Sequence, residues 1–411
     1  MVINDNFKAD SDRQISIGWH SSTLGECCTE KPSYGINAAA VPFNENLPRY
    51  IRITDIDDNG RFNPKKLTSV NEKGWEEFVL KKDDVLFVRT GSTTGKSYLY
   101  EEKDGELVYA GFLIKFSVDK NLILPYYLKL FTETSFYEQW VSIMSVRSGQ
   151  PGINSKEYGL LPLSLPPLEE QNKITKILSQ WDEAIETNQK LIEQLKLRKK
   201  GLMQDLLSGK KRLTGFTKEW REVPLGNFIR YTPRPKDKPK NDFLALGLRS
   251  HGKGIFHKEN FDPDSIAMDT LYEVRENDLV VNITFAWEHA IAIANSKDEG
   301  GLVSHRFPTY TFVENHSDPI FFRYYVLQKR FKYLLNVISP KSAGRNRVMS
   351  KKDFPKLIVK VPPFDEQVAI GEFLSSVDAE IKILTKRLKT QKRQKKGLMQ
   401  QLLTGQKRVK I

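Results

Sequence analysis

Two segments of the chain place their apolar residues at spacings that alternate between four and three. The first runs through Ile174, Leu178, Trp181, Ile185, Asn188, Ile192, Leu195, Lys199, Leu202 and Leu206. The second runs through Ile370, Leu374, Val377, Ile381, Leu384, Leu388, Gln391, Lys395, Leu398 and Leu402. Each is a mostly apolar heptad seam with no proline inside it, and the spacing predicts a long helix in each place. Pro166-Pro167 and Pro362-Pro363 set the entries, acids fill the first turn, and lysines and arginines crowd the last, as the helix dipole favours. Gly209 and Gly405 are suited to the C-terminal stops. A helix of about 40 residues would be about 60 Å long at 1.5 Å per residue.

Such a helix cannot bury its seam alone. The natural partner is the other seam of the same chain, and antiparallel pairing is favoured because a unit packed on its own repeat closes with two-fold symmetry. The polar seam positions Asn188, Lys199, Gln391 and Lys395 would fix the register. Lys199 and Lys395 could equally snorkel at a fraying end.

The remaining sequence reads as mixed α/β (α+β). Strand-like runs cover Asp84 to Thr90, Val108 to Val118, Asp278 to Thr284, Ala290 to Ala294 and Phe307 to Val313. Tyr126 to Met144 and Pro319 to Val337 read as aromatic-rich amphipathic helices, opened by Pro125 and Pro319. Their aromatics fit a core better than a base-stacking platform.

The chain is also an internal repeat. Pro166-Pro167-Leu168-Glu169-Glu170-Gln171 returns 196 positions later as Pro362-Pro363-Phe364-Asp365-Glu366-Gln367, and the match runs without a gap to Lys211-Arg212 and Lys407-Arg408. Its densest block, Lys199-Lys200-Gly201-Leu202-Met203-Gln204, recurs at 395–400. Weaker echoes link Trp19 and Leu24-Gly25 to Trp220 and Leu225-Gly226, and Asp84 to Thr90 with Asp278 to Thr284. The expected organisation is therefore a variable domain at 1–165, a repeated helix at 166–212, a second variable domain at 213–361 and a second repeated helix at 362–411.

Composition narrows the function. The 411 residues carry 64 Lys+Arg against 51 Asp+Glu, a formal charge of +13, with 39% hydrophobic and 11% aromatic residues. That is enough apolar matter for real cores, and enough positive charge to suit a polyanion such as nucleic acid, although charge alone leaves that even. The two cysteines, Cys27 and Cys28, are adjacent, so no disulfide framework or zinc ribbon is expected. No leader-like start and no apolar run of membrane length is seen, which points to a reduced, intracellular protein without membrane attachment.

The catalytic look-alikes fail. Thr90-Gly91-Ser92-Thr93-Thr94-Gly95-Lys96-Ser97 has three residues between its glycines where a phosphate loop needs four. Val361-Pro362-Pro363-Phe364 has valine where an amino-methyltransferase loop needs Asn or Asp to hold the amine. The six histidines are scattered, with no metal-ligand spacing, though His289 and His305 could read base edges. No catalytic residue and no metal site is expected.

Two variable regions, two repeated helices and no catalytic set resemble one family. The chain is similar to specificity subunits of type I restriction-modification systems, through Leu165 to Gln171, Val361 to Gln367, the two Lys-Lys-Gly-Leu-Met-Gln blocks and the Trp…Leu-Gly openings. The resemblance implies that each variable region is a target recognition domain reading half of a split double-stranded DNA site. It implies that the helices form an antiparallel coiled coil that spaces the domains and docks modification (methyltransferase) subunits. Methylation and cleavage would belong to those partners and to restriction/translocase subunits. S-adenosylmethionine, ATP and Mg would be bound there rather than on this chain, in a prokaryotic cytoplasm. A coiled-coil scaffold without base readout and a self-sufficient restriction or methylation enzyme are the alternative readings.

Base readout needs bidentate side chains, and phosphate contacts need Lys, Ser and Thr. The candidates in the first domain are Arg89, Thr90, Ser92, Thr93, Thr94 and Lys96, with Arg147, Ser148 and Gln150. In the second they are Asn282 and Thr284, with Lys341, Ser342, Arg345, Asn346 and Arg347.

Overall fold

The computed structural model describes residues 18–258, 262–265, 267–340 and 347–411. The described α-helices are α1 (Pro125–Phe131), α2 (Ser135–Met144), α3 (Ser155–Gly159), α4 (Leu168–Leu206), α5 (Pro319–Tyr325), α6 (Lys329–Val337) and α7 (Phe364–Leu403). α4 and α7 are the two long helices that the heptad spacing predicts. Gly209 and Gly405 follow their ends with φ of 74° and 71°, the left-handed conformation that stops a helix and that glycine adopts without strain.

The chain divides into two compact units, residues 1–188 with 387–411, and residues 189–386. Each therefore holds one variable region with segments of both long helices.

In the first unit, Ser33–Tyr34, Leu113–Phe116, Val85–Val88 and Ser97–Leu99 form one antiparallel sheet in that order. A second sheet orders Ala40–Pro42, Thr68–Val70, Arg49–Ile51 and Leu107–Tyr109, with its last pair parallel. His20–Thr23 pairs antiparallel with Pro162–Leu165, just before the Pro-Pro entry. Phe87, Phe116, Tyr137, Trp140 and Tyr158 pack as an aromatic core, and Ile174, Leu178, Met399 and Leu402 of the long helices join it. Tyr137 and Trp140 are core, as their helical spacing suggested.

The second unit repeats the plan. Ile229–Tyr231, Thr309–Phe312, Leu279–Val281 and Ile291–Ile293 form its main sheet. Arg221–Pro224 pairs with Ile358–Val361 ahead of the second Pro-Pro. Its core collects Phe321, Phe322, Tyr325, Phe331 and Phe354 with Leu206, Ile370 and Leu374 of the long helices.

Two sequence expectations are corrected. The run Val108 to Val118 is two strands of different sheets, Leu107–Tyr109 and Leu113–Phe116, because the chain turns at Ala110, where the Leu113 N–H donates to its carbonyl. Tyr126 to Met144 is two helices, because Thr134 accepts the Tyr137 N–H and starts α2 afresh; 319–337 divides likewise into α5 and α6.

The seam residues face inward. Ile174, Leu178, Ile185, Ile192, Leu195, Ile370 and Leu374 are buried, and Trp181, Asn188, Val377, Ile381, Leu384 and Leu388 are half-buried. In the first unit Asn188 donates to Gln391 at 2.7 Å. Lys395, also buried, reaches Asp182 at 2.9 Å and Glu133 at 3.1 Å. In the second, Lys199 reaches Asp378 at 2.6 Å. In both units the helix segments run antiparallel, and both lysines are paired rather than frayed.

The repeated Glu-Gln pair anchors each unit. Glu170 is fully buried, gripped by Arg408 through two bonds of 2.6 Å and by the Trp19 indole at 3.2 Å. Glu366 is held by Arg212 and Trp220 at the same distances. The Arg408 and Arg212 guanidiniums are held above their ordinary pKa first by these carboxylates.

Candidate nucleic-acid interface

In the first unit the turn after Val85–Val88 is tightly built. Val88 accepts the Gly95 N–H and donates to the Lys96 carbonyl, while Gly91 accepts both the N–H and the hydroxyl of Thr94. Gly95 has φ of 93°, and a Cβ there would stand 2.5 Å from Val141. The Tyr137 hydroxyl donates to its carbonyl at 2.7 Å. A strand, Ser97–Leu99, follows Lys96 where a phosphate loop would open a helix.

The two polar loops of this unit, far apart in sequence, are joined through one carbonyl. Pro151 accepts the Gly91 N–H at 3.0 Å and the hydroxyls of Thr94 at 3.2 Å and Thr90 at 3.3 Å. Ile153 donates to the Arg89 carbonyl at 2.8 Å. Arg89 to Lys96 and Arg147 to Gln150 thus form a single platform.

Several candidates on that platform are already engaged. Arg147 binds both carboxylate oxygens of Glu157 at 2.5 and 2.6 Å and also donates to the carbonyls of Met144 and Val146. Lys96 reaches Asp58 at 2.7 Å, which holds the Asp58 carboxyl below its ordinary pKa. Ser92, Ser148 and Gln150 are exposed, and Thr93 is half-buried.

The Arg89 guanidinium lies 4.6 Å from the centre of the Tyr34 ring. The Tyr34 hydroxyl donates to Ser155 Oγ at 3.1 Å and accepts the Ser155 N–H at 3.0 Å. Phe112, whose carbonyl accepts the Arg89 N–H, is 57% exposed. Sequence reading missed Tyr34 and Phe112, since a lone aromatic in or beside a strand carries no signal of exposure.

The second unit closes in the same way. Met349 donates to the Ile283 carbonyl at 2.8 Å, as Ile153 does to Arg89. Asn282 is 7% exposed, and its side-chain oxygen accepts the Thr284 N–H. It therefore shapes the turn from inside rather than standing at the surface. Thr284 is half-buried. Arg347 stacks 4.7 Å from the Trp287 ring centre. Lys341, Ser342, Arg345 and Asn346 lie outside the described residues. His289 is buried with φ of 69°, its Nε2 at 2.6 Å from the Val326 carbonyl, and burial lowers its pKa. It is a structural residue; His305 is exposed.

The model of the type I restriction modification DNA specificity domain matches residues 17–197 and again 218–391. The chain belongs to this family. Each match runs from an opening tryptophan region through a variable region and into a long helix. The chain is 26% identical to the type I restriction enzyme MjaVIII specificity subunit of Methanocaldococcus jannaschii, over 99% of this chain and 97% of that one. It is 27% identical to the StySPI specificity subunit of Salmonella potsdam, over 50% of this chain and 45% of that one. The HsdS subunit from Thermoanaerobacter tengcongensis shares the fold with a TM-score of 0.51, at 17% identity, across 96% of this chain and 98% of that one. The type I restriction-modification S subunit from M. genitalium aligns with a TM-score of 0.56, at 15% identity, across 95% of this chain and 97% of that one. Among the described residues no helix is long and apolar enough to cross a membrane.

Proposed function

We propose that the chain is the specificity subunit of a type I restriction-modification complex, reading a split double-stranded DNA target with one recognition domain per half-site. The observation that carries this reading is the repeated closure. Each unit zips a polar turn after a core strand to the loop ahead of its Pro-Pro entry, by Ile153 to Arg89 and by Met349 to Ile283. Two such closures, bearing different side chains, suit two different half-sites.

The recognition domains are assigned to 1–165 and 213–361, and the repeated helices to 166–212 and 362–411. α4 and α7 are proposed to pair as one antiparallel coiled coil, giving the chain an internal two-fold repeat and a seat for methyltransferase subunits. Catalysis is assigned to partner subunits, which would bind S-adenosylmethionine, ATP and Mg, in the prokaryotic cytoplasm. The chain alone should then neither methylate nor cut DNA.

The test is to express the chain with its methyltransferase partners and map methylated adenines. A split sequence is expected. Replacing residues of about 20–160 with the first domain of another family member should change one half and keep the other. A swap that alters both halves equally would overturn independent reading.

A further inference from the structure

We infer that Arg89, stacked on Tyr34, is the guanine-reading side chain of the first recognition domain. The inference rests on the specificity-subunit reading and deepens it.

Two of the three cations on the platform, Lys96 and Arg147, are already engaged. Arg147 is bound by Glu157 and two carbonyls, and Lys96 by Asp58. The Thr90 and Thr94 hydroxyls point their hydrogens at the Pro151 and Gly91 carbonyls. The Arg89 guanidinium donates to no described residue; its contact is the face of Tyr34 at 4.6 Å. A guanidinium lying against a ring has one face covered while its in-plane N–H groups remain free. Those groups form the fork that matches two acceptors side by side, and guanine offers O6 and N7 in that arrangement in the major groove.

The support beneath the fork is rigid. Tyr34 lies in the strand Ser33–Tyr34, paired with Leu113–Phe116, and its hydroxyl is tied twice to Ser155. The Arg89 backbone is tied on both sides, its N–H to Phe112 and its carbonyl to Ile153. Holding the side chain this way lowers the ordering cost of making a bidentate contact. Phe112, exposed beside it, offers an apolar surface of the kind that packs on a thymine methyl.

The experiment uses the chain assembled with its methyltransferase partners and the target already mapped. Each guanine of the half-site assigned to the first domain is replaced in turn by 7-deazaguanine, which removes N7 alone. At one guanine the wild-type complex should lose roughly 10- to 150-fold in affinity, the range for one hydrogen bond from a charged group. Arg89→Lys keeps the charge without the fork and should respond to that replacement less than about threefold, with the other half-site unaffected. Tyr34→Ala should weaken the discrimination, and Tyr34→Phe should keep most of it. Discrimination by Arg89→Lys equal to wild type would overturn the assignment. So would a uniform loss on every sequence, which marks a phosphate contact, or a first half-site that contains no guanine. A wild-type complex with no sequence preference at all would instead sink the specificity-subunit reading.

Discussion

Asp182 and Lys395, 213 residues apart in the chain, meet at 2.9 Å where α4 and α7 pack in the first unit. The second unit contains the same pair with the helices exchanged, Asp378 with Lys199. A tyrosine donates to each aspartate, Tyr126 at 2.9 Å and Tyr324 at 2.7 Å. Tyr126 is the second residue of α1, whereas Tyr324 is the sixth of α5. One helical turn separates the two positions, so they share a helix face. The surroundings differ further, because Lys395 gains Glu133, which Lys129 also holds, while Lys199 lies over the Tyr324 ring.

This asymmetry has a measurable consequence. Lys395→Met leaves two half-buried carboxylates facing each other and should lower stability by about 2–4 kcal/mol. Lys199→Met strands only Asp378, which is 43% exposed, and should cost about 1 kcal/mol. Chemical denaturation of the two variants checks the order; a larger loss for Lys199→Met would contradict it.

Asn188 and Gln391 hydrogen-bond within the seam. Asn188→Leu alone strands the Gln391 amide and should destabilise by about 1–2 kcal/mol, whereas changing both residues to leucine should be close to neutral. A double-mutant cycle by urea titration reads the coupling directly.

Two glycines of the turn after Val85–Val88 separate strain from space. Both have φ near 90°, but a Cβ on Gly91 meets nothing within 4 Å while one on Gly95 meets Val141. Gly91→Ala should cost about 1–2 kcal/mol of backbone strain, and Gly95→Ala about 1–3 kcal/mol more from overpacking. Thermal melts and first half-site binding should fall in that order.

His289 should make the second unit sensitive to mild acid. Burial holds its pKa below the ordinary 6.5, so the unfolded chain takes up a proton before the folded one does. The stability is complete above about pH 6.5 and declines as pH falls toward the depressed folded value. Asn tolerates the left-handed backbone there, so His289→Asn should be less stable at pH 8 yet lose less on going to pH 5.5. Parallel slopes of melting temperature against pH for the two proteins would refute this.

The long helices were legible because a heptad seam is a local, periodic signal that packing cannot easily override. The polar seam lysines were ambiguous, since pairing and snorkelling leave the same trace in sequence and only the distant Asp182 and Asp378 decide between them. At the candidate interface, residue type pointed to the two loops but not to which of their groups are already engaged. By residue type Arg147 is as suitable a candidate as Arg89, and only Glu157 standing against it separates the two; Asn282 is a suitable residue type as well, but its burial and its bond to the Thr284 N–H come from the fold. Tyr34 carried no signal, because its role comes from a contact across 55 positions of sequence with Arg89.

The grip of the repeated glutamine has a consequence for how such a chain can change. Gln171 bonds the Leu122 and Pro166 carbonyls and the Leu124 N–H. Gln367 bonds the His316 and Pro362 carbonyls and the Asp318 N–H. Every partner is main chain, which any amino acid supplies, proline excepted at the two N–H positions, so long as the backbone follows the same path. The socket is therefore blind to side-chain identity in the loop it holds. Mutation can rewrite that loop residue by residue without a compensating change in the helix, and drift in one half places no demand on the other.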